Sequence, residues 1–260
     1  MKLWIFLLLT PALFALYNGN PSLPNMPEEG IWSSNDAWWG IKLGYEWDRT
    51  FDKKVKVDGR ESSIRERFDT YKSLKNQGTL TFNASDRFEL YGKLGVMKLD
   101  LAQRPTDTVL MEYQTNSQFM WGIGGRVILV YWDEMVMGFN ALYSGSFMRI
   151  DRIFQNGGSR RTSGARFKYA EWQLGVSFSR EIGLFIPYVG LAYASMHSNL
   201  YNVPNDPNFS FQVADEDIKT GQPFLLLIGV GLTKIRGVSF NLESRMIGER
   251  AITLNGNIRF

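Results

Sequence analysis

Hydrophobic and polar positions alternate with period two through much of the chain, which puts successive side chains on opposite faces of a strand. Trp39, Ile41, Leu43, Tyr45 and Trp47 share one face against Gly40, Lys42, Gly44 and Glu46 on the other. Ala170, Trp172, Leu174, Val176 and Phe178 oppose Glu171, Gln173, Gly175, Ser177 and Ser179. Val238, Phe240, Leu242 and Met246 oppose Ser239, Asn241, Glu243 and Arg245, and Ile252, Leu254, Ile258 and Phe260 oppose Thr253, Asn255, Asn257 and Arg259. A soluble sandwich alternates too, with its apolar face turned inward, so length and punctuation must decide. Membrane strands need about 9–11 residues, joined by short turns at one end and longer loops at the other.

The pattern predicts ten strands, over 38–48, 74–83, 87–99, 117–130, 135–149, 166–179, 184–197, 222–233, 237–247 and 251–260. Short turns fall at Ala84 to Asp86, Tyr131 to Glu134, Arg180 to Gly183 and Lys234 to Arg236. Long connections fall at 49–73, 100–116, 150–165 and 198–221, and Gly248-Glu249-Arg250 is a short outer turn. With both termini periplasmic, the long connections face outward. The expected fold is all-β, a closed antiparallel transmembrane barrel. In 49–73, Phe51, Val55 and Val57 continue the first alternation and Asp58-Gly59 is a hairpin-turn pair. Either the first two strands project beyond the membrane, which we favour, or an extra hairpin makes twelve.

Closure removes unpaired sheet edges, the condition for strands to cross hydrocarbon. The register turns Lys42, Glu46, Glu89, Lys93, Arg126, Glu171, Glu243, Arg245 and Arg259 inward as lumen-lining residues. Such charges must pair or meet water. A wide lumen would leave them solvated and selecting ions; a ten-stranded barrel is narrow enough for them to pair and plug it.

The ends of the chain extend this reading. Residues 1–15 carry one positive charge, an apolar run and a small residue, the form of a signal peptide, and the run is too short and too interrupted by Pro11 to span a bilayer. Residues 16–36, with Pro21, Pro24 and Pro27, read as a periplasmic lead-in, leaving 37–260 for the barrel. An alternating last strand ending in Phe260 is the signal that barrel-assembly machinery accepts. Trp38, Trp39, Trp47, Tyr91, Trp121, Tyr131, Trp132, Tyr143, Trp172, Tyr188 and Tyr193 suit interface girdles against outer membrane lipid.

Composition narrows the chemistry. The 260 residues contain no Cys, which excludes disulfides, thiolate metal sites and cysteine nucleophiles. A net charge of +3 without a basic block speaks against nucleic acid. His197, the single histidine, sits at an outer strand end, with Asp206, Asp215 and Asp217 near only in sequence; a general base needs partners in reach, and a solvated residue is the simpler reading. Asp215-Glu216-Asp217 reads as a solvated loop rather than a cation site. Gly122-Ile123-Gly124-Gly125 and Gly229-Val230-Gly231 lack the strand-turn-helix context of a nucleotide loop and read as strand glycines. No catalytic residue, cofactor or metal is expected.

Several strings resemble the chlamydial major outer membrane porins. Asn18-Gly19-Asn20-Pro21 is similar to that family's mature start, and Ser85-Asp86-Arg87-Phe88-Glu89-Leu90 with Leu94-Gly95 resembles its Trp-Asp-Arg-Phe-Asp-Val motif and following Leu-Gly. Glu171-Trp172-Gln173 and Pro187-Tyr188-Val189-Gly190 resemble its Glu-Trp-Gln and Pro-Tyr-Ile-Gly strings. Glu243-Ser244-Arg245-Met246-Ile247-Gly248-Glu249-Arg250-Ala251 and the terminal Ile258-Arg259-Phe260 resemble Glu-Thr-Arg-Leu-Ile-Asp-Glu-Arg-Ala and Phe-Arg-Phe. The chain departs from the family in being shorter and lacking cysteine. The resemblance implies an outer membrane barrel with general porin activity toward small hydrophilic solutes, and leaves homo-oligomerisation open. A filled barrel, acting as an adhesin or envelope structure through its outer loops, is the alternative; an outer membrane hydrolase using His197 is a remote one.

Overall fold

The computed structural model describes residues 19–24, 38–57, 67–161, 164–203, 216–235 and 237–260. The leader at 1–15, the pair Asp58-Gly59, Asp206 and Asp215 lie outside them. The strands are β1 (Trp39–Lys53), β2 (Val55–Val57), β3 (Arg67–Ala84), β4 (Phe88–Thr106), β5 (Val109–Thr115), β6 (Gln118–Trp132), β7 (Met135–Gln155), β8 (Gly158–Arg161), β9 (Arg166–Arg180), β10 (Phe185–Tyr201), β11 (Glu216–Thr220), β12 (Phe224–Ile235), β13 (Val238–Ile247) and β14 (Glu249–Arg259).

Among the described residues, ten of these close a ring of antiparallel neighbours: β1, β3, β4, β6, β7, β9, β10, β12, β13 and β14, with β14 pairing back onto β1. The ladder runs to the last residue, where the Phe260 amide donates to the Ile41 carbonyl at 2.9 Å. The fold is therefore a closed ten-stranded barrel. The twelve-strand alternative fails because β1 and β3 simply lengthen beyond the membrane, β2 leaving the ring to pair with β11.

Through the middle of the barrel the outward positions are mostly apolar. On β4, Phe88, Leu90, Leu94 and Val96 are 40, 50, 63 and 39% exposed. Soluble proteins rarely leave so wide a belt to water, and backbone crosses acyl chains only when every amide is paired, as closure ensures. Most of the aromatic residues assigned to girdles are on this face. Tyr91 and Tyr188 are not: both are buried inside, each lying flat across a glycine in register, Tyr91 over Gly124 and Tyr188 over Gly229. A Cβ at either glycine would strike the ring, so those glycines exist for close approach.

One end carries tight turns. Ser85, Asp86 and Asp133 adopt φ of 53°, 50° and 52°, the left-handed geometry of short hairpins. The other end is not the run of loops expected. Strands β4 and β7 overrun their predicted ends and fold back as hairpins with β5 and β8, the second through Asn156-Gly157 at φ of 49° and 83°. Strand β10 extends to Tyr201 and pairs with β11. The barrel thus stands well above its membrane band on that side.

Candidate functional site: the barrel interior

All nine side chains assigned inward from the sequence point inside the ring and are buried. Four more ionisable residues join them: Asp48, Lys53, Lys75 and Glu249. Asp48 and Lys75 were available from the alternation of β1 and β3. Lys53 was not, because a bulge between Thr50 and Asp52 shifts the register by one and turns Lys53 inward in place of Asp52. Glu249, read as part of a short outer turn, is the first residue of β14 and already faces inward.

Among the described residues the interior holds seven buried cations and six buried anions, so their charge nearly cancels by local pairing. Nearest the tight turns, Lys42 Nζ lies 2.6 Å from Glu89 Oε1 and Arg126 Nη1 lies 3.1 Å from Glu89 Oε2. Further along, Lys93 Nζ lies 2.7 Å from Glu46 Oε2. Arg245 donates to Asp48 and to Thr253 Oγ1 (2.9 Å), while Thr253 Oγ1 donates to Asp48 at 2.8 Å. Lys53 bridges Glu171 and Glu249, the latter at 2.7 Å, and Tyr169 donates to Glu171. Arg259, at the rim, reaches Asp86 at 3.2 Å. Side chains this deeply buried are packed against one another rather than arrayed around a wide water-filled bore.

Both ends of this polar zone are covered. Residues 19–24, expected in a periplasmic lead-in, instead turn back into the tight-turn mouth and are all buried. The Gly19 amide donates to Glu243 Oε2 (2.9 Å), which also accepts from Tyr188 (3.0 Å). Ser22 and Ser179 hydroxyls meet at 2.6 Å, Lys42 donates to the Leu23 carbonyl (2.7 Å), and Asn83 donates to the Pro24 carbonyl (2.9 Å). Gly19 adopts φ +85°, a conformation suited to glycine. Pro21 packs on Gly138, where an added Cβ would sit 2.8 Å from the proline Cβ. Gly138→Val is expected to unseat this segment while sparing the ring, read as faster proteolytic cleavage near residue 21 with unchanged strand content.

At the opposite end the inward face becomes apolar. Tyr71, Met97, Leu99, Leu101, Met111, Tyr113, Met120, Met148, Ile150, Ile153, Phe167, Tyr169, Met196, Leu200 and Ile218 form one buried cluster. It fills the barrel from the outer edge of the apolar belt to the far strand ends. Continued alternation at Met97, Leu99 and Leu101 was the sequence signal for it.

His197 is exposed on the outward face of β10, opposite Ala170 and Lys219, and Asp217 is engaged by Asn199. Among the described residues no group of His, Asp or Glu is arranged to hold a metal ion.

A closed antiparallel ring with an acyl-facing exterior and a polar, paired interior defines an integral β-barrel of the bacterial outer membrane. The sequence is similar to a major outer membrane porin of Chlamydia psittaci, 23% identical over 264 residues that cover 76% of this chain and 67% of that protein. No family model matches. Among solved structures, the translocator domain of the autotransporter NalP from Neisseria meningitidis aligns with a TM-score of 0.45 at 10% identity, covering 86% of this chain and 88% of that one. OprG from Pseudomonas aeruginosa aligns at 0.39 and 10% identity, covering 85% and 96%. The β domain of the Bordetella autotransporter BrkA aligns at 0.40 and 14%, covering 86% and 99%.

Proposed function

We propose that this protein is a non-enzymatic, porin-like channel for small hydrophilic solutes and ions whose resting form is closed, and that it is a shortened, cysteine-free relative of the chlamydial major outer membrane porins. The observation that carries the channel reading is the row of buried ionisable side chains along the membrane-spanning depth. Ionisable groups at that depth are costly and mark aqueous or ionic pathways. A barrel that needed only filling could use apolar side chains there, as this one does in its outer part. Several charges also have two partners: Glu89 serves Lys42 and Arg126, and Lys53 serves Glu171 and Glu249, so pairing can be exchanged without stranding a charge.

The inserted segment 19–24 supplies the closure at the periplasmic mouth. It is held by hydrogen bonds rather than by a strand ladder, so it can leave without breaking the ring. The second reading, a filled structural or adhesin barrel, is favoured by the apolar cluster at the outer end. Planar-bilayer recordings on refolded protein discriminate the two. The channel reading expects rare, brief conductance steps from the intact chain and a higher open fraction after deletion of residues 19–24. Silence from both, with folding shown by heat-modifiable gel migration, would favour the filled barrel.

A further inference from the structure

The two edges of the lipid-facing surface differ in charge. At the tight-turn edge charges of both signs occur: exposed Glu134 pairs with Arg180, and the partly exposed Asp86 meets the buried Arg259. At the outer edge, on β7 and β9, Arg149, Arg166 and Lys168 are all cationic, all exposed and all on the outward face. Register sets Arg149 directly opposite Arg166, and Lys168 directly opposite Phe147. Like charges directly opposed on neighbouring strands repel, so this pairing lowers stability unless an anion lies between them. Among the described residues none of the three is in an ion pair; Asp151 pairs with none of them, and Asp217 is engaged by Asn199.

Beneath the three cations the outward face is rich in aromatic rings. Phe147 is 67% exposed, with Lys168 Nζ 5.8 Å from its ring centre. Trp172 opposes Tyr143 in register, and ring centres follow at 5.6 Å for Trp121 and Tyr143, 5.3 Å for Trp172 and Tyr193, and 5.5 Å for Tyr193 and Phe224. The site therefore opens sideways onto acyl chains.

We propose that Arg149, Arg166 and Lys168 bind the phosphorylated headgroup of an outer-leaflet lipid, whose acyl chains lie along Phe147 and the rings below it. Guanidinium forks match phosphate oxygens bidentately, and a phosphate seated between two opposed arginines converts their repulsion into attraction. A lipid fits better than a free anion because the cations adjoin the apolar belt. This assignment holds whether or not the lumen conducts.

The test uses the refolded full chain in zwitterionic micelles, titrated with a bis-phosphorylated glucosamine lipid and with its dephosphorylated form, bound lipid being counted by native mass spectrometry. The phosphorylated lipid is expected to bind at least about tenfold tighter than the dephosphorylated one, weakening as salt rises, and R149Q/R166Q/K168Q to lose about that factor. K72Q/K98Q, on β3 and β4, should leave binding unchanged. If the triple variant fails to fold, R166Q alone decides through a change of sign: its heat-modifiable transition should lie above that of the parent without lipid and below it with the phosphorylated lipid. Equal binding by the triple variant, equal binding of the dephosphorylated lipid, or displacement by millimolar inorganic phosphate retained in the lipid's place would each overturn the proposal.

Discussion

Arg245→Ala is expected to cost the barrel about 3–5 kcal/mol, the range for breaking a buried ion pair by removing one partner. Arg245 is fully buried and donates to Asp48 and Thr253, with its Nε 3.6 Å from Glu243 Oε1. Truncation leaves Asp48 with only the Thr253 hydroxyl and removes the guanidinium beside Glu243, inside a space where water cannot replace it freely. The urea midpoint of the refolded protein, followed by the mobility shift between folded and unfolded forms, measures the loss. Arg245→Met combined with Asp48→Leu should recover much of it, because an apolar pair of similar volume strands no charge. If the single variant unfolds at the parent's midpoint, water has taken over the carboxylates and the interior is wetter than its packing implies.

The second large effect concerns the outer end. Phe167 is 1% exposed at the centre of the apolar cluster, and Phe167→Ala is expected to destabilise by about 3–5 kcal/mol. On the channel reading it should also widen the narrowest apolar stretch. Joined to deletion of residues 19–24, it should raise bilayer conductance well above that of either change alone, because the two closures stand in series along one axis. Additive, independent effects on conductance would mean that only one of them limits passage.

Much of this architecture was legible in the sequence. The number of ring strands, the tight turns at 84–86, 131–134 and 180–183 and the inward placement of residues such as Lys42, Glu89 and Arg245 follow from strict period-two alternation, which survives wherever one face meets lipid and the other does not. What escaped were the places where that rule changes meaning. Beyond the membrane band both faces of a strand can be mixed, so the ends of β4 and β7 and the partners β5 and β8 resembled loops, although Asn156-Gly157 carries a hairpin signature. The bulge after Thr50 inverted the faces of the next residues and hid Lys53. Tyr91 and Tyr188 were grouped with the interface aromatics by type, though the alternation that turns Glu89 and Lys93 inward also turns Tyr91 inward. Residues 19–24 were read only as part of a periplasmic lead-in, since their prolines exclude regular structure and nothing local specifies a seat that is built from distant strands.

The seam between β1 and β14 has a kinetic consequence. Its register joins residues as far apart in sequence as Tyr45 and Gly256, so these strand pairings carry a large loop-closure entropy and are expected to form late. Until then two sheet edges stand open, each a template for pairing with another strand. The Asp48 and Arg245 pair straddles that seam from β1 to β13, so zipping it shut is also the step that dehydrates the pair. Late assembly intermediates should consequently be sensitive to ionic strength in a way the finished barrel is not.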